Sequence, residues 1–144
     1  MINGEDQSKV SVVAITVAWD DEAKTVVRMI LDDTWDLAAF RDASFRCMAM
    51  IRTVSHPVYV LAHVTLPPTI PYGLLWQLRD LNQMRPTNWA GGIAIARDSF
   101  VTTLVATLSQ VYMERQKNRL FVVTSEAEGY AIIARLKQQD GTIV

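Results

Sequence analysis

A continuous apolar run, VYVLAHV, occupies positions 58–64 and is followed by the proline-rich segment TLPPTIPYG, which leads into a stretch with helical spacing. Because the run has almost no polar alternation, it predicts a strand covered on both faces, typical of the centre of a parallel sheet. In α/β proteins, ligands and partners bind where such a strand ends and a helix begins, since backbone N–H groups and the helix dipole converge there. This strand-loop-helix joint is therefore the predicted functional region.

Strands and helices alternate through the rest of the chain. Segments rich in β-branched residues at 10–19 and 25–31, separated by the polar turn DDEAK, predict an opening hairpin. Further strands are predicted at 91–96 and 121–123, and helices at 34–55, 72–84, 98–113 and 125–137. The order ββαβαβαβα predicts one α/β domain with a mixed sheet of about five strands and four helices, because strand-helix alternation requires parallel crossovers.

The domain is expected to span positions 11–137, between a polar N-terminal tail at 1–10 and a loose C-terminal tail at 138–144. A chain of 144 residues is long enough for one hydrophobic core and too short for two domains. We therefore expect a single core.

Local signals predict how the first and last helices begin and which side the first and second helices bury. Thr34 is the predicted N-cap of the first helix, and Ser125 with Glu128 matches the S-x-x-E capping box of the last. The first helix has an apolar stripe with a gap at Ser44; the stripe comprises Leu37, Phe40, Cys47, Met48 and Ile51. In the second helix one apolar face is predicted from Leu74, Leu75, Leu78 and Leu81.

Charge and composition disfavour several classes of function. The 14 basic and 15 acidic residues leave a net charge of −1, which gives no electrostatic footprint for nucleic acid or an anionic membrane. No stretch approaches the roughly 18–20 apolar residues of a membrane span, and the polar N-terminus has no apolar leader. Cys47 is the only cysteine, which predicts a buried thiol and no disulfide. A cytoplasmic protein is expected.

The sequence contains no recognisable catalytic or metal-binding motif. His56 and His63 are seven residues apart, unlike the paired histidines of a metal site on one helix face, so no metal or cofactor is predicted. His63 lies in the apolar strand, which predicts a neutral core histidine or a ligand-facing one. The acidic pairs Asp20-Asp21 and Asp32-Asp33 stand in polar turns, where carboxylates normally face water or cap helices. The chain is predicted not to be an enzyme, and a catalytic His63 would need a loop hydroxyl within about 3 Å.

The chain resembles the STAS domains of anti-sigma-factor antagonists, and more closely the divergent SpoIIAA-like family of small bacterial proteins. The resemblance spans about positions 12–137 and is carried by HPVYVLAHVTLPPTIPYGLLWQLRDL, by GGIAIA and by FVVTSEAEGYAIIARL. It implies a mixed sheet with helices chiefly on one side, and a regulatory function exercised through protein contacts.

The resemblance also implies a phosphorylation site in the loop after the central strand. The family's Asp-Ser-Ser-Gly-like segment falls on Pro71-Tyr72-Gly73, where Gly73 matches but the serine and aspartate do not. Phosphate would then have to be received by Thr65, Thr69 or Tyr72 near the helix N-terminus, where added negative charge is stabilised. Otherwise these three are loop and capping residues.

Trp76 lies off the apolar stripe of the second helix, which predicts either an exposed interface anchor or a side chain covered by a neighbouring segment. The favoured hypothesis is a non-enzymatic module that binds a partner protein through the joint. The residues expected to contact the partner are Thr65, Thr69, Tyr72, Gly73 and Trp76.

A different function remains open from the same sequence. Phe45 and Met50 widen the apolar surface of the first helix beyond one stripe, which is compatible with a homodimer contact or an apolar pocket. The alternative hypothesis is therefore a small carrier that holds an apolar or lipid-like ligand between helices and sheet.

Overall fold

The computed structural model describes residues 14–99, 102–103 and 119–141. Its strands are β1 (Ile15–Trp19), β2 (Val26–Leu31), β3 (Val58–Val64), β4 (Trp89–Ile95) and β5 (Leu120–Val123). Its helices are α1 (Leu37–Arg52), α2 (Leu74–Gln83) and α3 (Glu126–Gln139). The predicted helix at 98–113 lies almost wholly outside the described residues, so three of the four predicted helices are seen.

The five strands form one mixed sheet in the order β1-β2-β3-β4-β5. β1 pairs antiparallel with β2, and every later pair is parallel. The predictions of an opening hairpin, parallel crossovers and a central β3 are confirmed. In the middle of the sheet, neighbouring strands and covering side chains shield the apolar run at 58–64 from water, which favours this position for the run.

A carboxylate in the turn between β1 and β2 holds the hairpin closed. Asp21 Oδ1 accepts hydrogen bonds from the backbone N–H groups of Thr25 at 2.9 Å and of Val26 at 3.1 Å, and its Oδ2 accepts from the Thr25 hydroxyl. Burial raises the pKa of Asp21, but these hydrogen bonds outweigh it and leave the pKa below its ordinary value. The ionised carboxylate is therefore part of the folded turn.

Helices cover both faces of the sheet. The front face, formed by Val27, Met29, Val60, Ala62 and Ala94, packs against α1 and α2. The back face packs against α3, which contributes Ile133 and Leu136; its sheet residues are Val26, Tyr59, Leu61, Ile93 and Ile95. The expectation that helices lie chiefly on one side holds for α1 and α2, whereas α3 lies on the opposite side.

α1 begins two residues later than predicted. Asp36 is the N-cap, and its Oδ1 accepts from the Ala39 N–H at 2.8 Å. Thr34 is not the cap, because its own N–H and hydroxyl both donate to Asp32 Oδ1 at 2.7 Å. The helix ends at Arg52, ahead of the predicted end near Ser55.

α3 begins as predicted and ends later. The Ser125 hydroxyl accepts from the Glu128 N–H at 3.2 Å, while Glu128 Oε1 accepts from the Thr124 N–H at 3.1 Å. A Cβ placed on Gly129 would lie 2.9 Å from Leu61, so glycine permits the close approach of α3 to the sheet. The helix continues to Gln139, within the range expected to be a loose tail, and is followed by Asp140, which accepts from the Tyr59 hydroxyl and pairs with Arg119.

Candidate functional site

The joint loop, residues 65–73, connects the end of β3 to the start of α2. Its last residue, Gly73, has φ of 88°, a left-handed conformation that glycine adopts without a side-chain clash. From there the chain enters α2, with the Gln77 N–H donating to the Gly73 carbonyl at 3.1 Å. α2 begins at Leu74 rather than at Tyr72 as predicted, because the left-handed residue marks the boundary.

Four large apolar side chains are exposed within a span of seven consecutive residues at this joint. We call these four residues the joint patch: Ile70, Tyr72, Leu75 and Trp76. Tyr72 is 97% exposed and Trp76 is 60% exposed. The described part of the chain has eight exposed large hydrophobic residues, so half of them lie in this short segment. The clustering distinguishes the patch from the scattered exposed hydrophobics of an ordinary surface.

The structure places Trp76 on the outside of α2 and corrects one neighbouring prediction. Leu75 was predicted on the buried face with Leu74, Leu78 and Leu81, but it is 41% exposed and belongs to the joint patch. The guanidinium of Arg79 lies 5.1 Å from the centre of the Trp76 ring, one helical turn further on. This cation–π contact orients the indole while leaving it accessible.

The joint loop is held to the body of the protein through its backbone. Trp35 Nε1 donates to the Thr65 carbonyl at 2.7 Å, and the Thr65 N–H donates to the Leu31 carbonyl at 3.2 Å. Thr65, Thr69 and Tyr72 are exposed, and no hydroxyl of theirs makes a hydrogen bond within the described ranges. These hydrogen bonds anchor the start of the joint loop at Thr65, and Gly73 and Trp76 lie at the beginning of α2.

The polar groups of the back face form a separate cluster. Arg28 bridges the hairpin to α3, with Nη1 3.2 Å from Asp20 Oδ1 and Nη2 2.6 Å from Glu126 Oε2. The Tyr130 hydroxyl donates to Asp20 at 2.9 Å, and partial burial together with this carboxylate raises the pKa of Tyr130. His63 Nε2 lies 3.0 Å from Glu126 Oε2 but forms no hydrogen bond of acceptable geometry.

This cluster ties α3 to the hairpin. In the part of the chain that the structure covers, His63 has no hydrogen bond to Thr65, Thr69 or Tyr72. The convergence that a catalytic histidine needs is therefore not formed between these residues. Over the same residues, no group of three or more His, Cys, Asp or Glu side chains is arranged to hold a metal ion.

A cavity of about 280 Å³ lies between the front face, α1 and α2. It is called the front cavity, and its lining is almost entirely apolar; the lining includes Met29, Trp35, Phe40, Cys47, Met48, Ile51, Leu66, Leu74, Leu78 and Leu81. Cys47 is buried, as the sequence predicted, and burial raises the pKa of its thiol to about 12, so the thiol is neutral. The cavity borders the joint loop through Leu66 but does not include the joint patch.

Among the described residues, three polar side chains line the front cavity: Ser44, Asn82 and Arg85. Asn82 Oδ1 is buried and accepts no hydrogen bond. Arg85 stacks over the ring of Trp89 at 4.0 Å, and burial lowers its pKa. No sequence pattern pointed to Asn82 or Arg85, whereas the gap at Ser44 in the apolar stripe of α1 indicated that this side of the helix is not filled.

No helix within the described ranges is both long and apolar enough to cross a membrane. Comparisons of the chain with protein-family models, with curated proteins and with solved structures found no match.

Proposed function

We propose that this protein is a non-enzymatic regulatory module of STAS-like, SpoIIAA-like type that binds a partner protein through the joint patch. The observation that carries the proposal is the exposure of Trp76 and Tyr72 on an anchored segment at the end of the central strand. Tryptophan and tyrosine are the residue types most enriched among the side chains that dominate binding energy.

The geometry of the joint keeps the entropic cost of binding low. Trp76 lies on a regular helix and is oriented by Arg79, while Thr65 is held by hydrogen bonds from Trp35 and to Leu31. A partner that covers Trp76 buries apolar surface without first having to order the indole, which favours association. The partner expected is a protein surface with an apolar pocket for the indole and an acceptor facing Arg79.

Phosphorylation of the joint loop is the proposed form of regulation. The hydroxyls of Thr65, Thr69 and Tyr72 are exposed, and the N-terminus of α2 has no side-chain cap. A phosphate there is stabilised by the helix dipole, and it places negative charge beside the apolar patch. Intact-mass and peptide mass spectrometry of protein from its native cells tests this step, and it is contradicted if all three hydroxyls are unmodified under every growth condition sampled.

The binding proposal is tested by in-cell cross-linking with a matched control. Trp76→Ser removes the exposed aromatic ring beside Arg79, whereas Phe45→Ser removes an exposed aromatic ring beside Arg41, which lies 5.6 Å from it on the surface of α1. We expect one cross-linked partner to be retained by the wild type and by Phe45→Ser, and lost by Trp76→Ser.

A homodimer is one possible form of this interaction and is distinguished by sedimentation of the purified protein. A dimer that Trp76→Ser dissociates makes the partner a second copy of the chain. A partner that both variants retain equally, or that only Phe45→Ser loses, contradicts the assignment of the joint patch.

A further inference from the structure

We propose that a pocket at the edge of the sheet opposite the joint loop binds a phosphate group of a small molecule, and that Arg85 and Arg119 hold this group. The pocket, called the basal pocket, lies where β3 and β4 begin, whereas the joint loop follows the end of β3. The site does not depend on the proposed partner protein. It gives the chain a second binding activity.

The size and charge of the basal pocket suit an anion. Its volume is about 330 Å³, and a cavity of roughly 150 Å³ already holds benzene. A phosphate group therefore enters together with part of the molecule that carries it. The polar and aromatic residues of the lining are Arg85, Thr87, Asn88, Trp89, Arg119 and Asp140. Among the described residues of the lining, two guanidinium groups stand against one carboxylate, and this excess of positive charge attracts an anion.

Arg119 is fixed in position and still has a donor to offer. Its Nε donates to the Ala90 carbonyl at 2.7 Å, and its Nη2 donates to Asp140 Oδ2 at 2.6 Å. Its Nη1 makes no hydrogen bond within the described ranges and remains accessible to solvent. Because the guanidinium is already ordered by its other two nitrogens, little side-chain entropy is lost when Nη1 donates to a ligand.

The carboxylate of the lining is already engaged on the side of the protein. Asp140 Oδ2 accepts from the Tyr59 hydroxyl as well as from Arg119 Nη2, and Tyr59 is completely buried. These contacts use the negative charge of Asp140 to orient Arg119. The carboxylate therefore opposes an incoming anion less than an unpaired one would.

Arg85 supplies the second positive charge. Its guanidinium lies 4.0 Å from the centre of the Trp89 ring, and this stacking fixes the plane of the group. Burial lowers the pKa of Arg85, because the charged guanidinium has lost part of its hydration. A phosphate within hydrogen-bond reach compensates for this loss, since charge-assisted hydrogen bonds are stronger than neutral ones.

The turn between α2 and β4 adds a hydroxyl group on a fixed segment. Asn88 Nδ2 donates to the carbonyls of Ile51, Val54 and His56 at 2.9, 3.0 and 3.0 Å, which holds the turn to the end of α1. Thr87 is exposed beside it, and its hydroxyl makes no hydrogen bond within the described part of the chain. Two guanidinium groups and a hydroxyl are donors suited to the oxygens of a phosphate group.

The test titrates the purified protein with inorganic phosphate at about pH 7.5, where phosphate carries close to two negative charges. Ionic strength is held constant with chloride, which is also the reference anion. Nuclear magnetic resonance follows the side-chain N–H signals of Trp89 and Arg119, with Trp76 outside the pocket as the internal reference. We expect phosphate, but not chloride, to shift the Trp89 and Arg119 signals to saturation and to leave Trp76 unchanged. Absence of a saturable shift at Trp89 and Arg119 would overturn the site without requiring any variant to fold.

A pair of variants tests the role of Arg85. Arg85→Gln is expected to weaken phosphate binding about tenfold or more, because it removes a charged hydrogen-bond donor. Arg79→Gln is the matched control, since Arg79 is also stacked on a tryptophan, Trp76, but does not line the basal pocket. It is expected to keep the affinity of the wild type. Equal affinity of the two variants for phosphate would overturn the assignment of Arg85.

Discussion

At the scale of single residues, Asp21 and Gly73 each have a local structural role that their neighbours in sequence cannot take over. Asp21 closes the hairpin turn through three hydrogen bonds to Thr25 and Val26. Gly73 supplies the left-handed conformation that turns the joint loop into α2. Because each role depends on a single residue, we expect substitution of either residue to lower the free energy of unfolding.

Asp21→Asn is expected to lower the free energy of unfolding by about 1 kcal/mol at neutral pH, because the amide cannot accept from all three donors and carries no charge. The pKa of Asp21 is lowered in the folded state, so its contribution is present above the ordinary pKa of 3.8 and is lost as the pH falls through the folded value. The difference between wild type and variant should therefore shrink below about pH 4. Urea unfolding across this pH range measures it.

The matched control is Asp33→Asn, which removes an exposed carboxylate from the following turn. It is expected to change the unfolding free energy by less than about 0.5 kcal/mol at neutral pH. A difference between wild type and Asp21→Asn that stays constant down to pH 2.5 would contradict the role of the ionised carboxylate.

Gly73→Ala is expected to destabilise the protein by about 1–2 kcal/mol, because an L-residue with a side chain resists the left-handed conformation. The added Cβ would lie 3.4 Å from Leu37, an ordinary contact, so backbone strain rather than a clash is the cause. Gly73→Asn should cost less, since asparagine tolerates this conformation better than alanine. Chemical denaturation of the three proteins tests the order, and an equal loss for both variants would contradict the explanation.

At the scale of elements, the helices differ in how much of their position the sequence reveals. The Ser125 cap was predictable because a capping box is a local pattern of four residues. The predicted start of the first helix was wrong because both Thr34 and Asp36 are suitable N-cap residues. Thr34 donates its hydrogen bonds to Asp32, so Asp36 is the N-cap. Leu75 was misplaced for a related reason: helical spacing predicts a stripe, but the neighbours of the helix decide how wide that stripe is.

Ser125→Ala is expected to cost about 1 kcal/mol, because it removes the side-chain acceptor for the Glu128 N–H at the start of α3. Ser125→Thr keeps an acceptor and should restore most of that loss. The measurement is the urea concentration at the midpoint of unfolding, while the slope of the unfolding free energy against urea concentration stays unchanged. Equal destabilisation by alanine and threonine would show that the hydroxyl group does not act as the cap.

At the scale of the whole molecule, the sheet was predictable and the convergence of distant groups was not. Strand order and direction follow from hydrophobic periodicity and short connections, so the hairpin and the central β3 could be predicted from the sequence. The Arg28 bridge joins residues 98 positions apart, and the described lining of the front cavity comes from six elements: β2, β3, β4, β5, α1 and α2. No local pattern encodes such contacts, which is why the back-face cluster and Asn82 were found only in the structure.

The joint has features that were predictable from the sequence and features that were not. Its position was predicted from the end of the apolar run, but the extent of the exposed surface depends on Leu75 and Ile70 as well as on the predicted Trp76. The fold thus presents a compact apolar patch on an anchored segment, and the proposed partner is what covers it.

Hydroxyl-radical footprinting of the protein in its native cells and after purification is the most direct measurement of this proposal. Trp76 and Tyr72 are exposed in the isolated chain and should be oxidised rapidly there, whereas in the cell they should be protected by the partner while Phe45, which is 39% exposed, stays reactive. Equal oxidation of Trp76 and Tyr72 in both settings, with Phe45 as the internal reference, would contradict the assignment of the joint patch as the binding surface.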